Sequence, residues 1–597
     1  MKIDRLNYIR RKTQVVTIGN INIGGVNPVC IQSMANTDTN DVEKSVKQSI
    51  SVFNAGCEIM RFTVQGMKEV GNLRKIHQVL REQGYDIPLV ADTHFQADVA
   101  LAAAVHVEKV RINPGNFIAA TKKNKDLSSY SEEEYKNEYE LLKKRFISFL
   151  NICKEHKTAI RIGVNHGSLG RRIMDRYGDT PQGMVESCME LLEICREEDF
   201  NQVVISLKSS NTVLMVQAVR LLVDRMEERG FNYPLHLGVT EAGEGEDGRI
   251  KSAIGIGSLL LDGIGDTIRV SLSEEPEFEI PVAKLLVSYT LECAHHPHIG
   301  GIESPLCGRY EYCRRTSMPV KNIGGNNPPV VVSTSFSSCS PLPEYYKKGN
   351  SMVDNAGYSY TIYTRNDFPL IEKGGSELCF LKLRLPELDY TVIQFLHKHE
   401  NVVILLETSF ERGIREQRAF FYALLDAGCA NPVIICRNYQ EDHLENLQVK
   451  AAVDFGALFI DGWGDGIFIE NMGDVNASSV NSIAFGILQA ARVRMTHVDY
   501  ISCPTCGRTL YDLQAVVAQI KEKTSHLKNL KIAVMGCCVN GLGEMADADY
   551  GYVGAKAGKV NLYRHRECIE TNIPAENAVE KLIELIENDN QADKTII

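Results

Sequence analysis

The stretch AIRIGVNHG (159–167) is a short apolar run in which Arg161 and Asn165 are set four residues apart. Strand side chains alternate between faces, so these two polar residues point the same way. Seven more runs of this kind lie in the first 275 residues: PVCIQSM (28–34), EIMRFTV (58–64), IPLVADTHF (87–95), EKVRINPGN (108–116), QVVISLKSS (202–210), PLHLGVTEAG (234–243) and DTIRVSLS (266–273). The segments between them have helical periodicity. DVEKSVKQSISVFNAG (41–56), for example, follows a Thr-Asp-Thr-Asn capping region and closes on Gly56. Eight alternating strand–helix units are the number that closes a parallel (β/α)8 barrel. An open doubly wound sheet is the alternative, but no dinucleotide fingerprint follows the first strand.

The C-terminal ends of barrel strands build the active face. By the alternation rule, Arg61, Arg111, Arg161, Lys208 and Arg269 converge on one mouth from five different strands. Asp92 and His94, Asn113, Asn165, and Ser206 and Ser210 accompany them. Guanidinium forks match phosphate oxygens in pairs, so the pattern reads as a clamp for a polyanion, better filled by two phosphates than by one. An internal ion-pair network with Asp92, Asp266 and Glu241 is the competing reading, and the cations outnumber those acids. The glycine-rich stretch KSAIGIGSLLLDGIGDTIRVSL (251–272) fits a barrel phosphate loop and close helix–sheet packing about equally well.

The chain has 597 residues, net charge −11, 44% apolar and 24% charged residues. That is a globular composition with no general attraction to nucleic acid or an anionic membrane. No apolar leader precedes the first strand and no apolar run is of membrane-spanning length, so a cytoplasmic protein is expected. The 17 cysteines without a secretion signal imply a reducing compartment. Cys30, Cys57, Cys153, Cys188, Cys195, Cys379, Cys429 and Cys436 read as small buried hydrophobes. ALFIDGWGDGIFIEN (457–471) echoes LLLDGIGDTIRVSL (259–272), with Phe468 in the place of Arg269. The echo predicts a second, degenerate barrel-like domain from an internal duplication, with Trp463 as packing. The expected divisions are residues 1–290, 291–495 and 496–597.

The last hundred residues hold ISCPTCGRTLYDL (501–513) and KIAVMGCCVNGLGEMADADYG (531–551). Cys503 and Cys506 form a CxxC, Cys537 and Cys538 adjoin, and Glu544 follows in a glycine-flanked turn. On a strand, Cys537 and Cys538 point to opposite faces, leaving three thiolates and a carboxylate for one centre. Thiolates suit zinc and iron–sulfur clusters alike.

RINPGN, RIGVNHGSL, GVTEAG, KSAIGIG, GIGDTIRVSL, CPTCGR and GCCVNGLGE together resemble the 4-hydroxy-3-methylbut-2-enyl diphosphate synthases, over the first ~290 and last ~100 residues. The middle segment is similar to the insert of the three-domain plant and chlamydial type. With no plastid transit peptide, the resemblance points to a bacterial protein. It implies an α/β chain: an N-terminal TIM barrel, a degenerate barrel-like middle spacer and a small α/β iron–sulfur domain. It further implies reductive ring opening and dehydration of 2-C-methyl-D-erythritol 2,4-cyclodiphosphate, in isoprenoid precursor synthesis, through a [4Fe–4S] cluster. The ligands would be Cys503, Cys506, Cys537 and Glu544, because the family places its third cysteine seven before the glutamate. Arg61, Arg111, Arg161 and Lys208 match the family's substrate-binding positions, Asp92, His94, Asn113 and Asn165 match polar residues lining the pocket, and Glu241 matches a proton-handling acid. Leu542 departs from the proline usual in two-domain bacterial members. Ferredoxin or flavodoxin would supply electrons, with no nucleic acid or membrane partner. A homodimer is compatible with the spacer. A hydratase with an open cubane iron, a zinc-stapled binding protein and a barrel serving a pterin are the rival classes.

Overall fold

The computed structural model describes residues 4–93, 97–118, 129–302, 311–336, 340–374 and 377–595. Two compact units form: Arg11–Gly248, Ile264–Lys284 and His497–Ile597 make one, and Met1–Arg10, Arg249–Gly263 and Leu285–Thr496 the other.

In the first unit, eight parallel strands run β1 (Cys30–Met34), β2 (Ile59–Val64), β3 (Leu89–Thr93), β4 (Lys109–Ile112), β5 (Ala159–Asn165), β6 (Val203–Lys208), β7 (His236–Leu237) and β8 (Thr267–Ile268). The sheet order is β6-β5-β4-β3-β2-β1-β8-β7, and the parallel bridge Ile205–Leu235 joins its two edges into the expected barrel. The helix Val42–Ala55 starts on Asp41, whose carboxylate accepts from Lys44 N, and stops at left-handed Gly56. The charged segment after residue 127 forms the helix Glu132–His156, opened by a Ser131–Glu134 capping box.

The barrel lumen is graded. A hairpin of Val16–Ile18 and Ile21–Ile23 plugs the N-terminal end, where Val16, Ile18 and Ile23 pack on Cys30, Ile59, Val90, Ala159 and Val204. Above this apolar floor Lys109 Nζ donates to Gln32 Oε1 (3.3 Å), and Gln32 Nε2 donates to Thr267 Oγ1 (2.7 Å). His236 is buried in β7, with neither ring nitrogen hydrogen-bonded. The cationic mouth follows, so polarity rises along each inward-facing row.

In the same unit the C-terminal segment forms a five-stranded sheet: β17 (Asp499–Ser502), β18 (Lys531–Met535), β19 (Tyr550–Lys556), β20 (Lys559–Arg564) and β21 (Glu567–Pro574). The first three are parallel and the last two return antiparallel. The second unit contributes strands β9–β16. These are β9 (Val330–Ser333), β10 (Tyr345–Lys348), β11 (Ser351–Asp354), β12 (Ser359–Tyr363), β13 (Cys379–Leu383), β14 (Val402–Leu406), β15 (Val433–Tyr439) and β16 (Gly466–Asn471), which close a second barrel. It deviates from the first at the antiparallel run β10–β11–β12.

The duplication extends further than the Asp-Gly-X-Gly-Asp echo. Asp266 accepts from Thr13 Oγ1 (2.8 Å) and Leu235 N (2.9 Å), while Asp465 accepts from Ser317 Oγ (2.8 Å) and Val433 N (3.0 Å). The hydroxyls of Thr13 and Ser317 each accept from a left-handed glycine, Gly25 and Gly325, at 3.1 Å. The sequences IGGVNP (23–28) and IGGNNP (323–328) carry this shared latch. Trp463 is buried and stacks on Phe421, as its packing role requires.

Lys109 is wholly enclosed, and burial followed by the nearby Arg161 lowers its pKa to about 7. Between there and the ordinary lysine range the unfolded chain holds a proton that the folded lysine lacks, so stability rises with pH over that window. Lys109→Met is expected to exceed the parent in stability by about 1–3 kcal/mol at pH 6, with the gain vanishing near pH 10. Urea titrations across pH check this; a gain independent of pH would rule out the ionic cause.

Candidate functional site

The first unit contains a cleft with about 670 Å³ of space free of protein atoms. Its barrel side is Met34, Arg61, Asp92, Arg111, Arg161, Asn165, Lys208, Thr240, Glu241, Arg269 and Ser271. Its other wall is C-terminal: Cys503, Pro504, Cys506, Arg508, Met535, Cys537, Gly541 and Glu544. The C-terminal sheet is therefore seated on the barrel mouth of its own chain. Ala242 bridges to Ser502, Lys521 pairs with Glu244 at 3.1 Å, and Gln514 Nε2 donates to Ser273 O at 2.9 Å. Gly167 and Gly543 meet backbone to backbone, and a Cβ on Gly167 would run into the Gly543 carbonyl.

The strand-end cations are held apart from one another by short polar contacts. Asp92 takes Arg111 at 3.3 Å and Arg61 at 3.7 Å. Arg61 also donates to Met34 Sδ through Nε (3.0 Å) and Nη2 (2.7 Å). Arg161 Nη1 donates to Ser206 Oγ (2.8 Å), and Arg269 reaches Glu279 (3.2 Å). A glycine inside β5 and another just after β7 clear room for the charged heads. A Cβ on Gly163 would lie 2.6 Å from Arg111 Nε, and one on Gly238 would lie 2.6 Å from Lys208 Nζ. Burial, followed by the attraction of Asp92 and repulsion from Arg269 and Arg111, leaves Arg61 at about 10. Burial and then Arg161 push Lys208 well below the lysine range. These depressions are the signature of cations collected without enough anions, which a bound polyanion would reverse.

Glu544 ends the short helix Cys538–Glu544 and is 7% exposed. Its Oε1 accepts from Asn165 Nδ2 (2.6 Å) and Thr240 Oγ1 (3.4 Å), and Arg111 Nη2 in turn donates to Asn165 Oδ1 (3.2 Å). Glu241 sits beside it with left-handed backbone (φ 50°) and a buried Oε2 that has no hydrogen-bond partner. Burial first, and the Glu544 charge second, raise Glu241 well above the usual carboxylate range.

Cys503, Cys506 and Cys537 line the same cleft, and Gly536 N donates to Cys503 Sγ at 3.2 Å. Among the described residues no group of three His, Cys, Asp or Glu side chains is placed to hold a single metal ion. Three thiols around one cleft, with a carboxylate opposite, fit a multi-atom centre better than one ion. The reason for separating the adjacent cysteines differs from the strand expectation. β18 ends at Met535, Cys537 caps the short helix in extended conformation, and Cys538 is its first residue, exposed to solvent. The stretch around Leu542 is helical rather than a turn.

Of the other residues expected from sequence, Asn113 does not line the cleft. Its Oδ1 accepts from Gly115 N at 3.1 Å and its amide lies 3.5 Å from Ser168 O, shaping the turn after β4. His94 lies outside the described residues. The glycine-rich stretch contributes Arg269 and Ser271 but no glycine; Gly257 packs on Val453 and Gly263 on the Ile9 carbonyl. The apolar cysteines read as buried are buried. Met34, Thr240 and Arg508 line the cleft without a signal in the sequence pattern. Arg508 stands in CPTCGR on no strand, and Met34 and Thr240 carry no charge to mark them.

Residues 13–284 match the GcpE TIM-barrel domain and residues 499–588 the GcpE protein C-terminal domain. Relatives named 4-hydroxy-3-methylbut-2-en-1-yl diphosphate synthase (flavodoxin) align along almost the whole chain. The Bacteroides thetaiotaomicron protein is 51% identical over 610 residues, covering 99% of each chain. The Parabacteroides distasonis protein is 53% identical over 601 residues, covering 97% of this chain and 98% of its own. The Leptospira interrogans protein is 41% identical over 647 residues, covering 97% of each.

Gly163→Ala is expected to displace the Arg111 guanidinium and weaken binding of inorganic diphosphate about tenfold or more with the fold intact. Calorimetric titration reads this directly, and parental affinity would remove Arg111 from the anion site.

Proposed function

The chain belongs to the GcpE family, the 4-hydroxy-3-methylbut-2-en-1-yl diphosphate synthases, and on that premise we propose that it opens 2-C-methyl-D-erythritol 2,4-cyclodiphosphate reductively. The ring is cleaved with two electrons and the loss of water, giving (E)-4-hydroxy-3-methylbut-2-enyl diphosphate. The observation that carries the reading is one cleft whose barrel wall is cationic and whose other wall is three cysteines and Glu544.

Arg61, Arg111, Arg161, Lys208 and Arg269 hold the two phosphates. Their buried, mutually repelling charges lose least when a dianion lies between them, which makes the cup selective for two linked phosphates over one. Cys503, Cys506, Cys537 and Glu544 would hold a [4Fe–4S] cluster. Three thiolates and a displaceable carboxylate are a donor set that leaves one iron open. When bound there, the cluster supplies electrons one at a time and a Lewis-acidic iron. Asn165 and Thr240 fix the Glu544 carboxylate against the cup. Glu241 keeps a proton on its carboxyl and offers it to the departing hydroxyl, which leaves as water. The seated C-terminal wall limits water in the cleft while reduced carbon is exposed.

The relatives' names support a flavodoxin as the electron donor. No helix among the described residues is long and apolar enough to cross a membrane, which agrees with a cytoplasmic enzyme.

Anaerobically purified parent protein should be brown, with about four iron and four sulfide per chain. Cys506→Ala should lose most of both, and turnover should fall by about 10³-fold or more. A Cys506→Ala protein that keeps its colour and its turnover would refute the cluster assignment.

Glu241→Gln should leave substrate affinity within about threefold and lower kcat by about 10²–10⁴-fold. Parental kcat would take the proton-donating role away from Glu241.

A further inference from the structure

Arg508 is a cation of the cleft that strand-end logic does not reach. It belongs to the C-terminal wall, two residues after Cys506, and faces the barrel's arginines across the cleft. It is 9% exposed, and its Nε and Nη1 are buried without a hydrogen-bond partner. The guanidinium also bonds the Cys506 sulfur. The barrel carboxylate that acts on it is Asp92, which Arg111 and Arg61 already engage at 3.3 and 3.7 Å. Arg508 and Arg61 repel one another at this range.

The turn that bears it is stiff. Thr509 Oγ1 accepts from Cys506 N (3.1 Å), Thr509 N donates to Cys506 O (2.9 Å), and Leu510 N donates to Gly536 O (3.2 Å). Gly507 leans on the barrel's loop after β1, where a Cβ would come within 2.7 Å of the Thr37 carbonyl. The side chain is thus held in the cleft by backbone on both sides. Two desolvated guanidinium donors without acceptors are costly unless a ligand supplies the acceptors.

We propose that Arg508 completes the anion clamp from the C-terminal side, donating to a phosphate of the cyclic diphosphate and tying occupancy of the barrel cup to the seating of the cysteine-bearing wall. This rests on the substrate reading above. In the empty cleft, the repulsion between Arg508 and Arg61 opposes the seating of the two walls. With a dianion between them, the same charges draw the walls together, so substrate assists the closure that brings it to the cysteines. The fork geometry of the side chain, and not its charge alone, suits paired phosphate oxygens.

The test uses the cluster-loaded, full-length protein under anaerobic conditions, titrated calorimetrically with the cyclodiphosphate at several salt concentrations. Parent, Arg508→Met, Arg508→Lys and the barrel variant Lys208→Ala are compared, with iron and sulfide counted in each. Arg508→Met is expected to keep parental iron and sulfide and bind about 10–100-fold more weakly, with a shallower salt dependence. Arg508→Lys should recover part of the affinity but not all of it. Loss of affinity in Lys208→Ala alone would overturn the proposal and leave the substrate reading standing. Unchanged affinity in every variant would overturn both. If Arg508→Met and Arg508→Lys both lose iron, the residue serves the Cys506 sulfur rather than the phosphate, and the proposal fails.

Discussion

Like charges collected in a dry place are the constraint on which this molecule turns. Arg61, Arg111, Arg161, Lys208 and Arg269 project from strand ends into one cleft, where Arg61 and Arg111 share Asp92 as counter-ion. Each charge loses hydration and gains repulsion, and the lowered proton affinities of Arg61 and Lys208 report both. A protein keeps such an arrangement only where it does something that a neutral packing cannot. The closed barrel makes the arrangement tolerable, because parallel strands fix each side chain at its base and glycines at 163 and 238 leave room for the heads.

The second wall follows from the first. A carboxylate, Glu544, is delivered into the cationic cleft and received by Asn165, which Arg111 braces. Glu241 beside it cannot ionise as readily, since burial and the neighbouring carboxylate both oppose a second negative charge. That environment favours a proton on Glu241, the condition for the acid role proposed for it. The backbone contact of Gly167 with Gly543 allows the helix bearing Glu544 to come this close.

Much of this was legible in the chain. Alternation placed Arg161 with Asn165 and Lys208 with Ser206 on inward rows, because a strand's period is fixed by covalent geometry and needs no tertiary knowledge. The duplicated Asp-Gly-X-Gly-Asp announced a second barrel for the same reason that it folds one: each final Asp closes the same hydrogen-bond circuit. What stayed hidden depended on contacts distant in sequence or on a change of local geometry. Asn113 obeys the alternation rule up to the strand's end and then turns to cap Gly115. Cys537 and Cys538 diverge because a helix begins between them, not because a strand continues. Arg508 lies on a loop, where no period predicts direction, and only the fold brings it opposite Arg61.

The two barrels separate the part of the fold that makes it stand from the part that makes it act. At the closed end both keep the same plug: a hydroxyl bonded to a left-handed glycine and to a buried aspartate, Thr13 with Asp266 and Ser317 with Asp465. At the open end they part company. Where the first has Arg269, the second has Phe468, buried in an apolar lumen with Tyr345, Phe380 and Cys436. Two lysines near its strand ends are each matched by an acid, Lys347 with Glu470 at 2.6 Å and Lys382 with Glu407 at 2.9 Å. Paired charges at a rim cost little and attract no polyanion, whereas the first barrel's cations outnumber the acids beside them. A duplicated barrel therefore needs the latch to fold but not the clamp. Once the charges of its mouth are balanced or replaced by aromatic packing, it can serve as a scaffold.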